Sequence, residues 1–230
     1  SDEELLEEIK KILDEVLKKN ADAVRSLEKV LDKVLEDNAR AVEELKTVLD
    51  KVLRDLERRG VGDEEIRELL ERLKRELDEA LKELAKEYEK LKETLRRVLE
   101  ELADLYREAK ERADRDPDKR KIVEELAKLL DRDVKLNRDL ARRVLRLLER
   151  DLRVNKELVD RAREVLDEIL KRNEDKDVEE VVKEVRDVLR ESVDKVRRVI
   201  EEVKRVLDRS SEEVERAVEE VKRVLDKVRK

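Results

Sequence analysis

Apolar residues in this chain recur three and four positions apart. The stretch "KILDEVLKKNADAVRSLE" (residues 11–28) is followed by "KVLDKVLEDNARAVEELK" (29–46) and "TVLDKVLRD" (47–55). That spacing places the apolar side chains along one face of an α-helix. Within the row marked by Val34, Val42 and Leu45 stands Asn38, and Asn20 stands in the same place 18 residues earlier. The period continues along the chain. Tyr88 and Tyr106 repeat, as do Asn137 and Asn155, and then Ser192 and Ser210. Eighteen residues make about five turns at 3.6 residues per turn. A heptad row drifts around a straight helix and winds it into a supercoil, whereas an 18-residue row does not drift. The pattern therefore predicts straight, untwisted helices.

Breaker chemistry divides the periodic run into four. "RRGVGDEE" (58–65) sets Gly60 after basic residues, then Gly62 and an N-cap at Asp63. "ADRDPDKR" (113–120) predicts an N-cap at Asp116 with Pro117 at the first helical position. "KRNEDKDVEE" (171–180) places Asn173 at a helix end and Asp177 as a new N-cap, with Glu180 three residues on. Ser1 and Glu4 read as a capping box. The expected helices run 2–59, 63–114, 117–173 and 177–229. Each is roughly 75–85 Å long at 1.5 Å per residue. Short connections make neighbours antiparallel, so the fold class is an all-α, up-down-up-down four-helix bundle, taken as a single domain over 1–230.

Heights along the helices sort the polar interruptions. With α-helical rise, Asn20, Tyr106, Asn137 and Ser210 come out near one level, and Asn38, Tyr88, Asn155 and Ser192 near another. A lone buried amide costs free energy through unmet hydrogen bonds. Four polar groups meeting at one level satisfy each other, and a shift of one or two turns sets amides against leucine and valine. The expected role is register specification, with little net stabilisation. The competing reading makes these residues partly solvated breaks in the stripe. Asp133 and Asp151, four residues before Asn137 and Asn155, are read as boundary positions facing water, with membership of the layers as the alternative. Helix 4 is almost all valine on its apolar face, which leaves room for bulkier residues opposite.

Composition narrows the chemistry. Charged residues are 55% of the chain, interspersed in sign for a net charge of −7, so no basic face for nucleic acid is expected. No apolar run approaches the roughly 20 residues of a membrane span, and "SDEELLEEIKKIL" lacks the features of a signal peptide. With no His and no Cys, zinc, haem and thiol chemistry lose their usual ligands. Most acidic residues lie on polar faces with basic partners four residues on, such as Asp14/Lys18 and Glu15/Lys19. No catalytic, cofactor-binding or metal-binding residue is assigned, no cofactor is expected, and an enzyme is not expected.

The five-turn repeat, the Asn/Tyr/Ser positions, the Leu/Val core and the regular caps resemble those of de novo designed helical bundles with buried hydrogen-bond networks. The resemblance spans the whole chain and includes designed heterodimers and their single-chain relatives. It implies a structural scaffold with no natural activity that needs no partner. The alternative it implies is an interaction module, with hairpins 1–114 and 117–230 swapping into a homodimer or binding a designed helical partner.

Overall fold

The computed structural model describes residues 2–60, 63–172 and 176–229. Four helices account for nearly all of them: α1 (Asp2–Arg58), α2 (Glu64–Arg115), α3 (Lys119–Arg172) and α4 (Lys176–Arg229). Helices adjacent in sequence pack together and α1 also meets α4, which makes an all-α, up-down four-helix bundle.

The first connection follows the residues read from the sequence. Gly60 ends α1 at φ 68°, and its N–H donates to the Glu57 carbonyl at 3.1 Å. That left-handed conformation closes the last turn and is costly for any residue with a Cβ. Asp63 then caps α2, its Oδ1 accepting from the Ile66 N–H at 2.8 Å. Gly62 lies outside the described residues.

The second connection departs from expectation. Asp116 is not the N-cap of α3, and Pro117 is not its first residue. The Asp116 N–H still donates to the Arg112 carbonyl at 2.9 Å, so this residue closes α2. Its Oδ1 accepts from the Asp118 N–H at 3.0 Å, a local turn. The cap falls to the next carboxylate, and Asp118 Oδ1 accepts from the Lys121 N–H at 3.2 Å. One residue cannot both finish a helix and adopt the extended conformation of a cap. The caps expected at Ser1 and Asn173 lie outside the described residues, and Asp177 falls within α4 instead of before it.

The chain forms two compact units, each taking a stretch of every helix. The first comprises Ser1–Val30, Lys90–Leu145 and Val203–Lys230. Its core includes Ile9, Leu13, Val16, Leu102, Leu126, Leu130, Val218, Val221 and Leu225. The second comprises Leu31–Glu89 and Arg146–Glu202. Its core includes Leu49, Val52, Leu56, Ile66, Leu70, Leu73, Leu77, Leu166, Ile169, Val182, Val185 and Leu189. Burying each such side chain is worth about 1.5–3 kcal/mol.

Burial itself carries the repeat. On α1 the buried residues at 9, 13, 16, 20 and 24 recur at 27, 31, 34, 38 and 42, then at 45, 49, 52 and 56. The place held by Asn20 and Asn38 is thus held next by Leu56. On α2 Leu70 stands 18 residues before Tyr88, and on α3 Ile169 stands 18 after Asp151. Leu56, Leu70 and Ile169 belong to one apolar cluster. The same backbone positions are therefore filled by polar residues in two repeats and by hydrocarbon in a third.

Two buried polar layers as the candidate functional site

In the first unit, α1 places Asn20, α2 places Tyr106, and α3 places Asp133 and Asn137 one turn apart. Asp133 is the hub. Its Oδ2 accepts from Asn20 Nδ2 at 2.8 Å and from the Tyr106 hydroxyl at 2.5 Å. Its Oδ1 accepts from Asn137 Nδ2 at 2.5 Å. That nitrogen also lies 2.9 Å from the Asp133 carbonyl and 3.0 Å from Asn20 Oδ1. Asn20 thus donates to one α3 residue and accepts from the other, and the ring closes.

The second unit repeats the arrangement atom for atom. Asp151 Oδ2 accepts from Asn38 Nδ2 at 2.6 Å and from the Tyr88 hydroxyl. Its Oδ1 accepts from Asn155 Nδ2 at 2.6 Å, and Asn155 Nδ2 reaches Asn38 Oδ1 at 2.9 Å. In both layers the α1 amide and the α3 carboxylate are 113 residues apart in sequence. The geometry follows from the period: 18 residues restore each helix to the same orientation, so the same four side chains meet again.

The hubs and their α1 and α2 partners are buried, while Asn137 and Asn155 are half-buried. Asn20 and Asn38 are each 2% exposed, Tyr88 and Tyr106 each 1%, and Asp133 and Asp151 are fully buried. Among the described residues no buried side-chain nitrogen or oxygen lacks a hydrogen-bond partner. Asp133 and Asp151 therefore correct the sequence reading, which placed them at a boundary facing water. Their i,i+4 relation to Asn137 and Asn155 is the same, but the α3 apolar row runs through them to Ile169 and carries them inward. Ser192 and Ser210, expected on the same levels, are half-buried, and the hydrogen bonds of the two layers do not include them. Ser210 and Asn137 instead share the lining of a cavity of about 20 Å³.

Burial dominates the electrostatics. It pushes the Asp151 carboxyl up to about 6, against the pull of the donors Tyr88, Asn38 and Asn155. Asp133 is raised for the same reason, against Tyr106, Asn20 and Asn137. Both phenols are pushed far up, first by burial and then by the adjacent carboxylate. They therefore keep their protons at any ordinary pH, and they donate to the ionised carboxylates.

The exposed faces carry ion pairs between neighbouring helices, such as Arg96 with Glu28, Arg161 with Glu76 and Arg138 with Glu215. Asp14 pairs across to Lys110 on α2. Such pairs at the surface contribute about 0–1 kcal/mol each. The surface hollow over Ala80, Glu83, Arg150 and Glu157 holds about 500 Å³, and its lining does not include Asp151. Among the described residues no group of three or more His, Cys, Asp or Glu is placed to hold a metal ion, and no helix is long and apolar enough to cross a membrane.

Fold and site together define a four-helix bundle with buried Asn/Asp/Tyr hydrogen-bond networks. Comparison with family models, with curated proteins and with solved structures finds no match to the chain.

Proposed function

We propose that the chain is a de novo designed structural scaffold without a natural biochemical activity, in which the buried layers specify helix register. The observation that carries this reading is the duplication. Two layers with the same atoms and bonds recur at an 18-residue interval, in a repeat where hydrocarbon fills the same positions elsewhere. Polar groups that bond only to one another are suited to alignment. Each donor is matched by an acceptor on another helix, and a slip by one turn strands several of them among leucines. Two fully buried carboxylates whose side-chain bonds all go to neutral members of their own layer favour this role over catalysis.

Thermal unfolding followed by circular dichroism tests the scaffold reading. Caps, apolar period and core agree, so the transition is expected above about 90 °C. A cooperative melt below about 60 °C, in the range of ordinary mesophilic domains, counts against it.

One observation favours an interaction module as the second reading. In each layer the amide and phenol come from the α1–α2 hairpin and the carboxylate from α3, so the bonds join two hairpins. Light scattering on the purified chain separates the two. A mass of 27.4 kDa, one chain, supports the scaffold, and twice that supports hairpin exchange.

A further inference from the structure

We propose that Asp133 and Asp151 are proton-binding sites, one inside each unit, which take up a proton as the chain folds in mildly acid solution and release it as pH rises, without unfolding. The geometry carries this. Each carboxyl is fully buried, and every partner it has is neutral. Asp151 meets Asn38 from α1, Tyr88 from α2 and Asn155 from its own helix. Asp133 meets Asn20, Tyr106 and Asn137 in the same way. On α4, Ser192 and Ser210 form no bond to the hubs, and Lys195, one turn from Ser192, lines a surface hollow with Asp37 and Arg40. Among the described residues no lysine or arginine pairs with either carboxylate. Beside the second layer in sequence, Glu87 and Arg150 pair with each other and Asp37 pairs with Arg40, and Glu87 acts on the Tyr88 phenol, with no part in the shift of Asp151.

A buried carboxylate without a counter-ion is the costly member of its acid–base pair. Three donors offset part of that cost, and burial still prevails. The neutral acid has a place in the same network. The proton from water binds Oδ2, and the new hydroxyl donates to the phenol oxygen, which accepts as readily as it donates. One bond then reverses direction, and the phenol's own hydrogen turns away from the carboxyl.

The sign of the linkage is unusual for an acidic residue. Each folded-state value lies above that of the exposed acid in the unfolded chain, so between the two the folded chain binds the proton more tightly. The stabilisation is fully present below the unfolded value, near 4, and is lost as pH rises through the folded value, about 6 for Asp151. Asp114, at the surface, works the other way. Held down by the adjacent Lys10, it favours the fold at higher pH.

The test is a carboxyl-carbon NMR titration of the intact protein labelled at aspartate, with Asp133 and Asp151 assigned through their own backbone. The proposal expects two Cγ resonances that titrate well apart from the exposed aspartates, that of Asp151 near pH 6, while the amide spectrum stays folded. Both resonances moving together with those of the exposed aspartates overturns it. In denaturant melts from pH 4 to 8, Asp151→Asn is expected to flatten the fall in midpoint between pH 5 and 7. An Asp151→Asn profile parallel to that of the unsubstituted protein overturns it for that site.

Discussion

Replacing a whole layer should affect stability differently from breaking it. Tyr88→Phe removes one hydroxyl and leaves the buried Asp151 carboxylate with Asn38 and Asn155 as its only donors. A hydrogen bond to a charged group contributes about 1.5–3 kcal/mol, so this variant should lose about that much. The chain also contains its own template for a layer without polar groups, since Leu56, Leu70 and Ile169 occupy the same repeat positions. The triple variant Asn38→Leu/Tyr88→Leu/Asp151→Ile copies it into the second unit. Two larger residues enter as one smaller one replaces the phenol, so the volumes offset in part. No buried charge remains, and Asn155 keeps the Asp151 main-chain carbonyl, 2.8 Å away, as its acceptor. Replacement of buried ionic groups by hydrocarbon of similar volume is neutral or stabilising by about 1–4 kcal/mol. Guanidinium unfolding followed by circular dichroism, heated until the transition falls in range, gives both values on one scale. Tyr88→Phe should lower the midpoint, and the triple variant should match or exceed the unsubstituted chain at the same slope. A triple variant less stable than Tyr88→Phe refutes the reasoning, because the layer would then be holding the unit together.

Other expectations follow from single contacts. Gly60→Ala meets no atom within 4 Å, so its cost is the left-handed backbone alone, about 1–2 kcal/mol in a melt. Asp118→Ala should cost about 0.5–2 kcal/mol through the lost α3 cap, and Asp116→Ala less; the reverse order restores the cap to Asp116. Ser192→Ala and Ser210→Ala should each change stability by less than about 0.5 kcal/mol, since neither hydroxyl bonds to its hub; a larger loss places it in the network.

The fold was legible because the apolar row on each helix is nearly free of error. The row through Leu13, Val16, Asn20, Val24 and Leu27 can only be one helical face, and an amide inside it stands out. The same logic found Tyr88, Tyr106, Asn137 and Asn155. Asp133 and Asp151 escaped it because 67 acidic residues share the chain and nearly all face water. The signal that separates them is that Asp133, Asp151 and Ile169 stand at 18-residue intervals, with an apolar residue in the third place. The serines show the opposite error. Rise per residue fixes a level to several ångströms, whereas a hydroxyl must come within about 2.7–2.8 Å of its partner. A side chain as short as serine cannot make up the difference. At the 116–118 turn two aspartates flank one proline, and only the backbone bond from Asp116 to Arg112 decides which of them caps.

The most direct measurement of what the layers do is a distance between α1 and α3. Arg25 and Arg142, 75% and 69% exposed, accept spin labels in the first unit without touching its core. The distance distribution is read by pulsed electron spin resonance, once with both layers intact and once with Asn20, Tyr106 and Asp133 and their second-layer equivalents all replaced by Leu, Leu and Ile. The account predicts one narrow distance for the intact chain and added populations, offset by about one helical turn of 5.4 Å, when the layers are gone. The same single narrow distance in both proteins contradicts it.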